Sequence, residues 1–146
     1  MKKTIASLLC LAALGLATTQ VAAQVTSNLV IKFEGPGGHS NGTYGRTNAV
    51  HAAGRTVVKL QSAGLPAGSY RLLAMGGGNS VNSIASDGLL EVALNAADAT
   101  ALAALDAQVR AVAKAGADAE NAFRGVKAGD LSSGVAADIR VVVTAQ

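Results

Sequence analysis

Residues 29–40 read Leu-Val-Ile-Lys-Phe-Glu-Gly-Pro-Gly-Gly-His-Ser, and the fold is decided from this stretch outward. Leu29, Ile31 and Phe33 are apolar at every second position, which is the period of a strand that buries one face in a core. The glycine-rich turn that follows contains His39, the first of only two histidines. The stretch therefore predicts a first strand that ends in a shaped turn bearing a potentially chemical side chain.

The rest of the chain alternates between helical and strand periods in a definite order. Two helices are predicted: one over 50–60, capped by Asn48 or Thr47 and ended by Gly64, and one capped by Asp98 with the apolar stripe Leu102, Leu105, Val109 and Val112. Three further strands are predicted over 70–75, 90–95 and 139–143. The strand over 70–75 is stopped by three glycines. Residues 115–137 are rich in Gly, Ala and Ser, and they are predicted to form a loop with room for one extra helical turn.

The order strand, helix, strand, strand, helix, strand predicts an α+β fold of the ferredoxin-like βαββαβ plan. In this plan a four-stranded antiparallel sheet carries both helices on one face. The second and fourth strands lie at the edges, and an exposed edge has to be covered, charged or paired. Arg71 is the only charge in residues 70–75. Self-association along this edge, with help from the first helix, is therefore expected.

Residues 1–23 are predicted to be a secretory signal peptide. Lys2 and Lys3 precede an apolar stretch over 4–19, and Val-Ala-Ala at 21–23 supplies the small residues of a cleavage site before Gln24. A membrane anchor is the alternative, but it needs about twenty apolar residues. We expect a periplasmic or secreted protein in which residues 24–146 form a single domain that leaves the membrane after cleavage.

Charge and residue counts narrow the classes of function. Removing Lys2 and Lys3 from the 12 basic residues leaves 10 against 9 acidic ones, so the electrostatic argument for nucleic acid disappears. Cys10 leaves with the signal peptide, so no disulfide is expected. His39 and His51 are the only histidines, and the acidic residues are dispersed, so neither a metal nor another cofactor is predicted.

Two motifs resemble those of a known family. Residues 30–40 and 45–50 (Gly-Arg-Thr-Asn-Ala-Val) look like the opening of the dimerisation, or lid, domain of the M-twenty zinc metallopeptidases, which include glutamate carboxypeptidase, aminoacylase and succinyl-diaminopimelate desuccinylase. Residues 77–84 (Gly-Gly-Asn-Ser-Val-Asn-Ser-Ile) are similar to the family's second signature. The resemblance runs from about residue 29 to residue 112, in the topology predicted above.

The resemblance implies a shared site rather than an independent one. In the family, the histidine matching His39 reaches into the partner subunit's active site and stabilises an oxyanion, and the asparagine matching Asn82 contacts substrate. Gly35, Gly38 and Ser40 match the motif turn. The family's metal-binding catalytic domain is not expected in this chain. We therefore expect that the chain by itself has no catalytic or metal-binding residue.

The chain departs from the family pattern at two positions. Asn95 stands where the family usually has an arginine that binds the substrate carboxylate, and Ala85 stands where a proline usually follows the second signature. Loss of a bidentate arginine removes a strong carboxylate contact. Binding of peptide-like substrates is therefore not supported.

Simpler roles compete with each candidate residue. His39 is equally well explained as a solvated residue of the turn or as a binding residue. His51 is expected to be a surface or interface residue. Residues 76–78 have no helix start after them, which disfavours a phosphate loop. Ser40 and Ser80 lack a readable aspartate and histidine arrangement.

The sequence leaves three functions open. The first is an exported, non-catalytic module that forms a homodimer or associates with a related peptidase. The second is a component that supplies His39 in trans to the zinc site of a peptidase. The third is a remnant of a hydrolase.

Overall fold

The computed structural model describes residues 24–146, so the predicted signal peptide lies outside the described residues. The elements, in chain order, are β1 (Val25–Glu34), β2 (Gly38–His39), α1 (Ala49–Ser62), β3 (Tyr70–Gly77), β4 (Ser83–Ile84), β5 (Asp87–Ala96), α2 (Ala99–Phe123), β6 (Leu131–Ser132), β7 (Val135–Ala136) and β8 (Arg140–Ala145).

Four strands form one antiparallel sheet in the order β3-β5-β1-β8. The predicted α+β, ferredoxin-like plan is confirmed, and the second and fourth predicted strands, β3 and β8, lie at the edges. The register places Leu29 opposite Val92 and Ile31 opposite Leu90. All four side chains are buried, so the inward faces of the two central strands meet in the core.

Both helices pack on one face of this sheet, as expected. Asn48 caps α1, with its side-chain oxygen accepting from the N–H groups of Val50 and His51, and Asp98 caps α2 by accepting from Ala101. Leu60, Val109 and other apolar side chains fill the space between the helices and the sheet in one cluster. This core fixes the position of α1 beside the edge strand β3.

The prediction of a loop over 115–137 is wrong in its first part, because α2 continues to Phe123. Residues 115–122 lack large apolar side chains, because α1 lies too close for them. A Cβ atom on Gly116 would lie 2.9 Å from the Cα of Thr56 in α1. Ala113 and Ala117 are buried on the same face of α2, so small residues here mark close helix packing.

Two short ladders were not predicted. β2 pairs with β4, and β6 pairs with β7. β3 also runs two residues further than expected, to Gly77, which pairs with Gly88. A Cβ on Gly88 would lie 2.5 Å from the carbonyl oxygen of Ala49, so glycine at this end of the sheet lets the backbone of α1 approach it directly.

Candidate functional site

The motif turn, defined here as residues 35–40 together with Asn82, is built by the ladder between β2 and β4. His39 pairs with Ser83 in this ladder, and the backbone N–H of Ser40 donates to the carbonyl of Asn82 at 2.9 Å. Gly38 has a φ of 138°, and a Cβ there would lie 3.0 Å from Cγ2 of Thr43. The turn therefore depends on glycine at this position.

His39 and Asn82 meet in the structure although they are 43 positions apart. Nδ2 of Asn82 lies 3.4 Å from Nε2 of His39, and both side chains are exposed. The hydroxyl of Ser80 donates to Oδ1 of Asn82 at 2.6 Å. The two residues that match family site positions are thus neighbours on one surface.

The hydrogen bonds around His39 determine which ring nitrogen carries the proton. The backbone N–H of Asn41 donates to Nδ1 at 3.2 Å, so Nδ1 acts as an acceptor and a neutral ring carries its proton on Nε2. In that tautomer the Nε2 proton faces Nδ2 of Asn82, whose Oδ1 already accepts from the Ser80 hydroxyl, so the proton is not taken up by Asn82. A neutral His39 therefore presents an N–H donor of the kind that stabilises a developing negative charge.

Arg46 ties the motif turn to the β6–β7 hairpin. One terminal nitrogen donates to the carbonyl of Gly37 at 3.0 Å, and the other donates to the hydroxyl of Ser133 at 2.7 Å. Ser133 has a positive φ of 51° at the tip of the hairpin. The turn is thus held at its base, while the ring of His39 stays accessible.

The second candidate region is the association face, defined here as the exposed side of α1 together with β3. Val58 is 65% exposed, and on β3 Leu73 is 42% and Met75 49% exposed. The register of β3 against β5 shifts between Leu72 and Ala74, which is a bulge at Leu73. The bulge interrupts the ladder between β3 and β5, and Met75 beyond it lines a groove with α1.

The sequence prediction missed the Glu120 cluster, which lies beneath this face and consists of Glu120 with Arg55, Arg124, Asn48 and His51. Glu120 is 0% exposed. It accepts from Arg55 at 2.8 Å, from Arg124 at 3.0 Å and from the backbone N–H of Asn48 at 3.2 Å. Nδ1 of His51 lies 3.9 Å from its carboxylate. One carboxylate thus joins α2 to the first turn of α1.

Burial and hydrogen bonding act in opposite directions on Glu120. Burial raises the pKa of its carboxyl, but the hydrogen bonds from Arg55, Arg124 and the Asn48 backbone, together with the charge of Arg124, lower the pKa overall below its ordinary value. Glu120 is therefore ionised at neutral pH.

Phe123 lies against both guanidinium groups of the cluster. Its ring centroid is 4.6 Å from Arg55 and 5.0 Å from Arg124.

A spacing signal for this cluster was present in the sequence. Ala113, Gly116, Ala117 and Glu120 recur at helical intervals, so the carboxylate falls on the same face as three small residues. The run is also rich in Gly, Ala and Ser and carries scattered charges, and this composition predicts a loop.

The other candidate residues take simpler positions. His51 is exposed on α1, with Nδ1 3.4 Å from a terminal nitrogen of Arg124. Ser80 donates only to Asn82, which is not a nucleophile arrangement. Asn95 donates to Gln24 at 3.1 Å and lies opposite Thr26 in the sheet. It is thus at the end of β5 away from Gly88, which pairs with Phe33 next to the motif turn.

Within 24–146, no group of three or more His, Cys, Asp or Glu side chains is placed to hold a metal ion. In the same part of the chain, no helix has the length and apolar character needed to cross a membrane.

Comparison with known proteins gives one family match. A family model described as the peptidase dimerisation domain matches residues 22–121. This range contains the motif turn, the association face and Glu120, and it ends before the β6–β7 hairpin. A search of curated proteins finds no significant match to the chain.

Solved structures with the same fold are parts of longer proteins. An aminobenzoyl-glutamate utilization protein from Klebsiella pneumoniae matches with a TM-score of 0.62 at 19% identity, over 84% of this chain and 28% of that one. A hydantoinase/carbamoylase family amidase from Burkholderia ambifaria matches with a TM-score of 0.64 at 20% identity, over 86% of this chain and 28% of that one. The corresponding amidase from Burkholderia multivorans gives 0.60 at 22% identity, over 85% and 28%. The chain therefore spans about 28% of the length of these structures, and the likeness shows the fold.

Proposed function

The chain belongs to the peptidase dimerisation domain family of the M-twenty metallopeptidases, and from this membership we propose that it works as a pairing module without catalysis of its own. It pairs through the association face with a second lid-like domain, which is either another copy or the lid of a related peptidase. The observation that carries this proposal is the apolar edge of the sheet: within residues 24–146, β3 pairs only with β5, Leu73 and Met75 are exposed on it, and Met75 lines a groove with α1.

Physical chemistry supports an association role for this edge. An unpaired edge strand offers backbone N–H and C=O groups to another chain, and it is normally blocked by charge, a bulge or a covering element. Here Arg71 is the only charge on β3, and only the bulge at Leu73 interrupts the edge. Val58 of α1 extends the apolar surface next to the strand. Pairing would bury these side chains and satisfy the strand groups together.

Export is a further part of the proposal. The basic start, short apolar stretch and small residues before Gln24 support cleavage of residues 1–23 and a periplasmic or secreted location. Mass determination of the protein from the periplasmic fraction tests this directly, because cleavage predicts an N-terminus at Gln24. An intact Met1 would contradict it.

Sedimentation of residues 24–146 over a range of concentrations up to about 1 mM tests the surface. We expect a monomer–dimer equilibrium that Leu73→Asp weakens by about tenfold or more, because the variant buries an unpaired charge in the interface. Val142→Asp is the matched control, since Val142 is 48% exposed on the opposite edge strand β8. A chain that stays monomeric at all concentrations and also fails to bind an M-twenty peptidase contradicts the proposal.

A second candidate function is supported by the contact between His39 and Asn82. In this function the chain supplies His39 to the zinc site of a partner peptidase. The test uses an M-twenty peptidase whose own motif histidine is replaced by alanine. We expect wild-type chain to restore part of its activity, and His39→Ala to restore none. Equal activity with both chains contradicts a role for His39.

A further inference from the structure

Gln24 and Asn95 meet at the end of the sheet where β1 begins and β5 ends. Nδ2 of Asn95 donates to Oε1 of Gln24 at 3.1 Å, although the two residues are 71 positions apart. Val25 pairs with Ala96 in the ladder between these strands, so the contact lies directly at its end. It holds the residue with which the exported chain would begin after cleavage of residues 1–23.

Two buried polar atoms beside this contact have no hydrogen-bond partner among residues 24–146. They are Oδ1 of Asn95 and the hydroxyl oxygen of Ser69, a residue that is 7% exposed. The backbone N–H of Asn95 donates to the carbonyl of Ser69 at 2.8 Å, so the two residues are neighbours. A buried acceptor that has lost water and gained no donor destabilises a fold. Asn95 therefore offers an acceptor that a further N–H group can satisfy.

The surroundings of Gln24 suit a neutral group better than a positive one. A cavity of about 670 Å³ lies between the first half of α2 and the loop before β3, and Gln24, Ser69 and Asn95 all line it. Among the described residues that form its wall, none is charged. A second cavity of about 560 Å³ shares Gln24 and Asn95, and its described wall contains Arg71 but no Asp or Glu. A free α-ammonium group on Gln24 would therefore find no carboxylate in either wall.

Cleavage before Gln24 frees an amine that can react with the side chain of the same residue. The lone pair of the neutral α-nitrogen attacks Cδ of the carboxamide and forms a new C–N bond. The bond between Cδ and Nε2 then breaks, and Nε2 leaves as ammonia with the proton that the amine gives up. The product is the five-membered lactam pyroglutamate, and the reaction consumes no oxidant, reductant or other reactant.

We propose that Gln24 of the exported chain becomes pyroglutamate and that its lactam pairs with the carboxamide of Asn95. This inference rests on the proposed cleavage of residues 1–23. Oε1 remains as the lactam oxygen, so the hydrogen bond from Nδ2 of Asn95 is kept. The lactam N–H lies on the same side of the ring as this oxygen and donates to Oδ1 of Asn95, which the open side chain leaves without a partner. Cyclisation thus satisfies a buried acceptor and removes the terminal charge.

The intact mass of the protein from the periplasmic fraction tests the modification. Cyclisation predicts residues 24–146 with a mass about 17 Da below that of the unmodified sequence, because one ammonia is lost. Edman degradation should then give no sequence, since the α-nitrogen is blocked. A chain that begins at Gln24 with the unmodified mass overturns this inference and leaves the cleavage intact. A chain that still begins at Met1 overturns the cleavage and this inference together.

Digestion of the cyclised protein with a pyroglutamyl aminopeptidase tests the pairing with Asn95. We expect wild type to lose its first residue about tenfold more slowly than Asn95→Ala, because two hydrogen bonds hold the lactam. Asn95→Asp keeps the size of the side chain but removes the Nδ2 donor, so it should also be cut faster than wild type. Asn28→Ala is the matched control, since Asn28 is exposed on β1 opposite Ala93, and it should be cut at the wild-type rate.

Circular dichroism checks that each variant is folded. Equal rates for wild type and both Asn95 variants overturn the pairing.

Discussion

The motif turn and the Glu120 cluster differ in how much of the fold depends on them. His39 and Asn82 are exposed and 3.4 Å apart, whereas Glu120 is fully buried and accepts three hydrogen bonds. The side chains that carry the family resemblance are thus peripheral to folding, while a carboxylate that the resemblance did not mention joins the two helices.

The largest expected effect comes from removing the buried carboxylate. Glu120→Ala should lower the free energy of unfolding by about 3 kcal/mol, because it leaves Arg55 and Arg124 without their shared partner. Both guanidinium groups are partly exposed and can reach water, so the loss should lie at the lower end of the range found when a buried ion pair is broken. Urea denaturation measures it. The control Asp118→Ala removes an exposed partner of Lys114 and should cost at most about 1 kcal/mol; equal losses in both variants would show that the cluster is not special.

The close helix contact should give the next largest effect. Gly116→Ala places a Cβ 2.9 Å from the Cα of Thr56, and overpacking of this kind costs about 2 kcal/mol. The matched control is Gly54→Ala in α1, whose added Cβ would have only Met75 Cε nearby, at 3.6 Å. That variant should be neutral or more stable by about 0.5 kcal/mol, because alanine favours the helix. Denaturation curves with the same sign for both variants would contradict the close-packing account.

The pH dependence of the free energy of unfolding should show a smaller effect of Glu120. The pKa of Glu120 is lowered in the folded protein, so its ionised form stabilises the fold above the ordinary carboxylate pKa. This stabilisation is lost as the pH falls through the lowered folded pKa. Glu120→Gln should therefore show a shallower loss of unfolding free energy below about pH 4 than wild type. Parallel pH profiles for the two proteins would mean that Glu120 has an unshifted pKa.

The smallest effects should come from the motif turn. His39→Ala and Asn82→Ala should each change the free energy of unfolding by less than about 0.5 kcal/mol, because both side chains are exposed. A double-mutant cycle should give a coupling energy below about 0.5 kcal/mol for their long contact. A loss near that of Glu120→Ala would make the turn a structural element and remove the contrast between the two regions.

Local signals in the sequence predicted much of the fold. Alternation in residues 29–33 and 90–95 gave the two central strands, and Asn48 and Asp98 gave both helix caps. These signals work because a strand or helix repeats over a few neighbouring residues. The second half of α2 escaped prediction because its apolar face is made of small residues, whose burial depends on the distance to α1 rather than on their own hydrophobicity.

The candidate site was only partly predictable. Family resemblance singled out His39 and Asn82 separately, but the ladder between β2 and β4 is what places them side by side. Nothing local to residues 38–39 or 83–84 specifies that pairing, since two-residue strands have almost no period to detect. The Glu120 cluster needed three distant segments, and a single acid in an alanine-rich run does not reveal its partners.

The sequence by itself determined the order of strands and helices, the capped ends and the near balance of charge, because these follow from neighbouring residues and from composition. Only the tertiary structure decided that Glu120 is buried under α1, that β3 leaves apolar side chains exposed, and that His51, Arg55 and Lys59 border the same groove. Desolvation and charge pairing act through space between segments far apart in the chain. The make-up of the association face therefore follows from packing rather than from any motif.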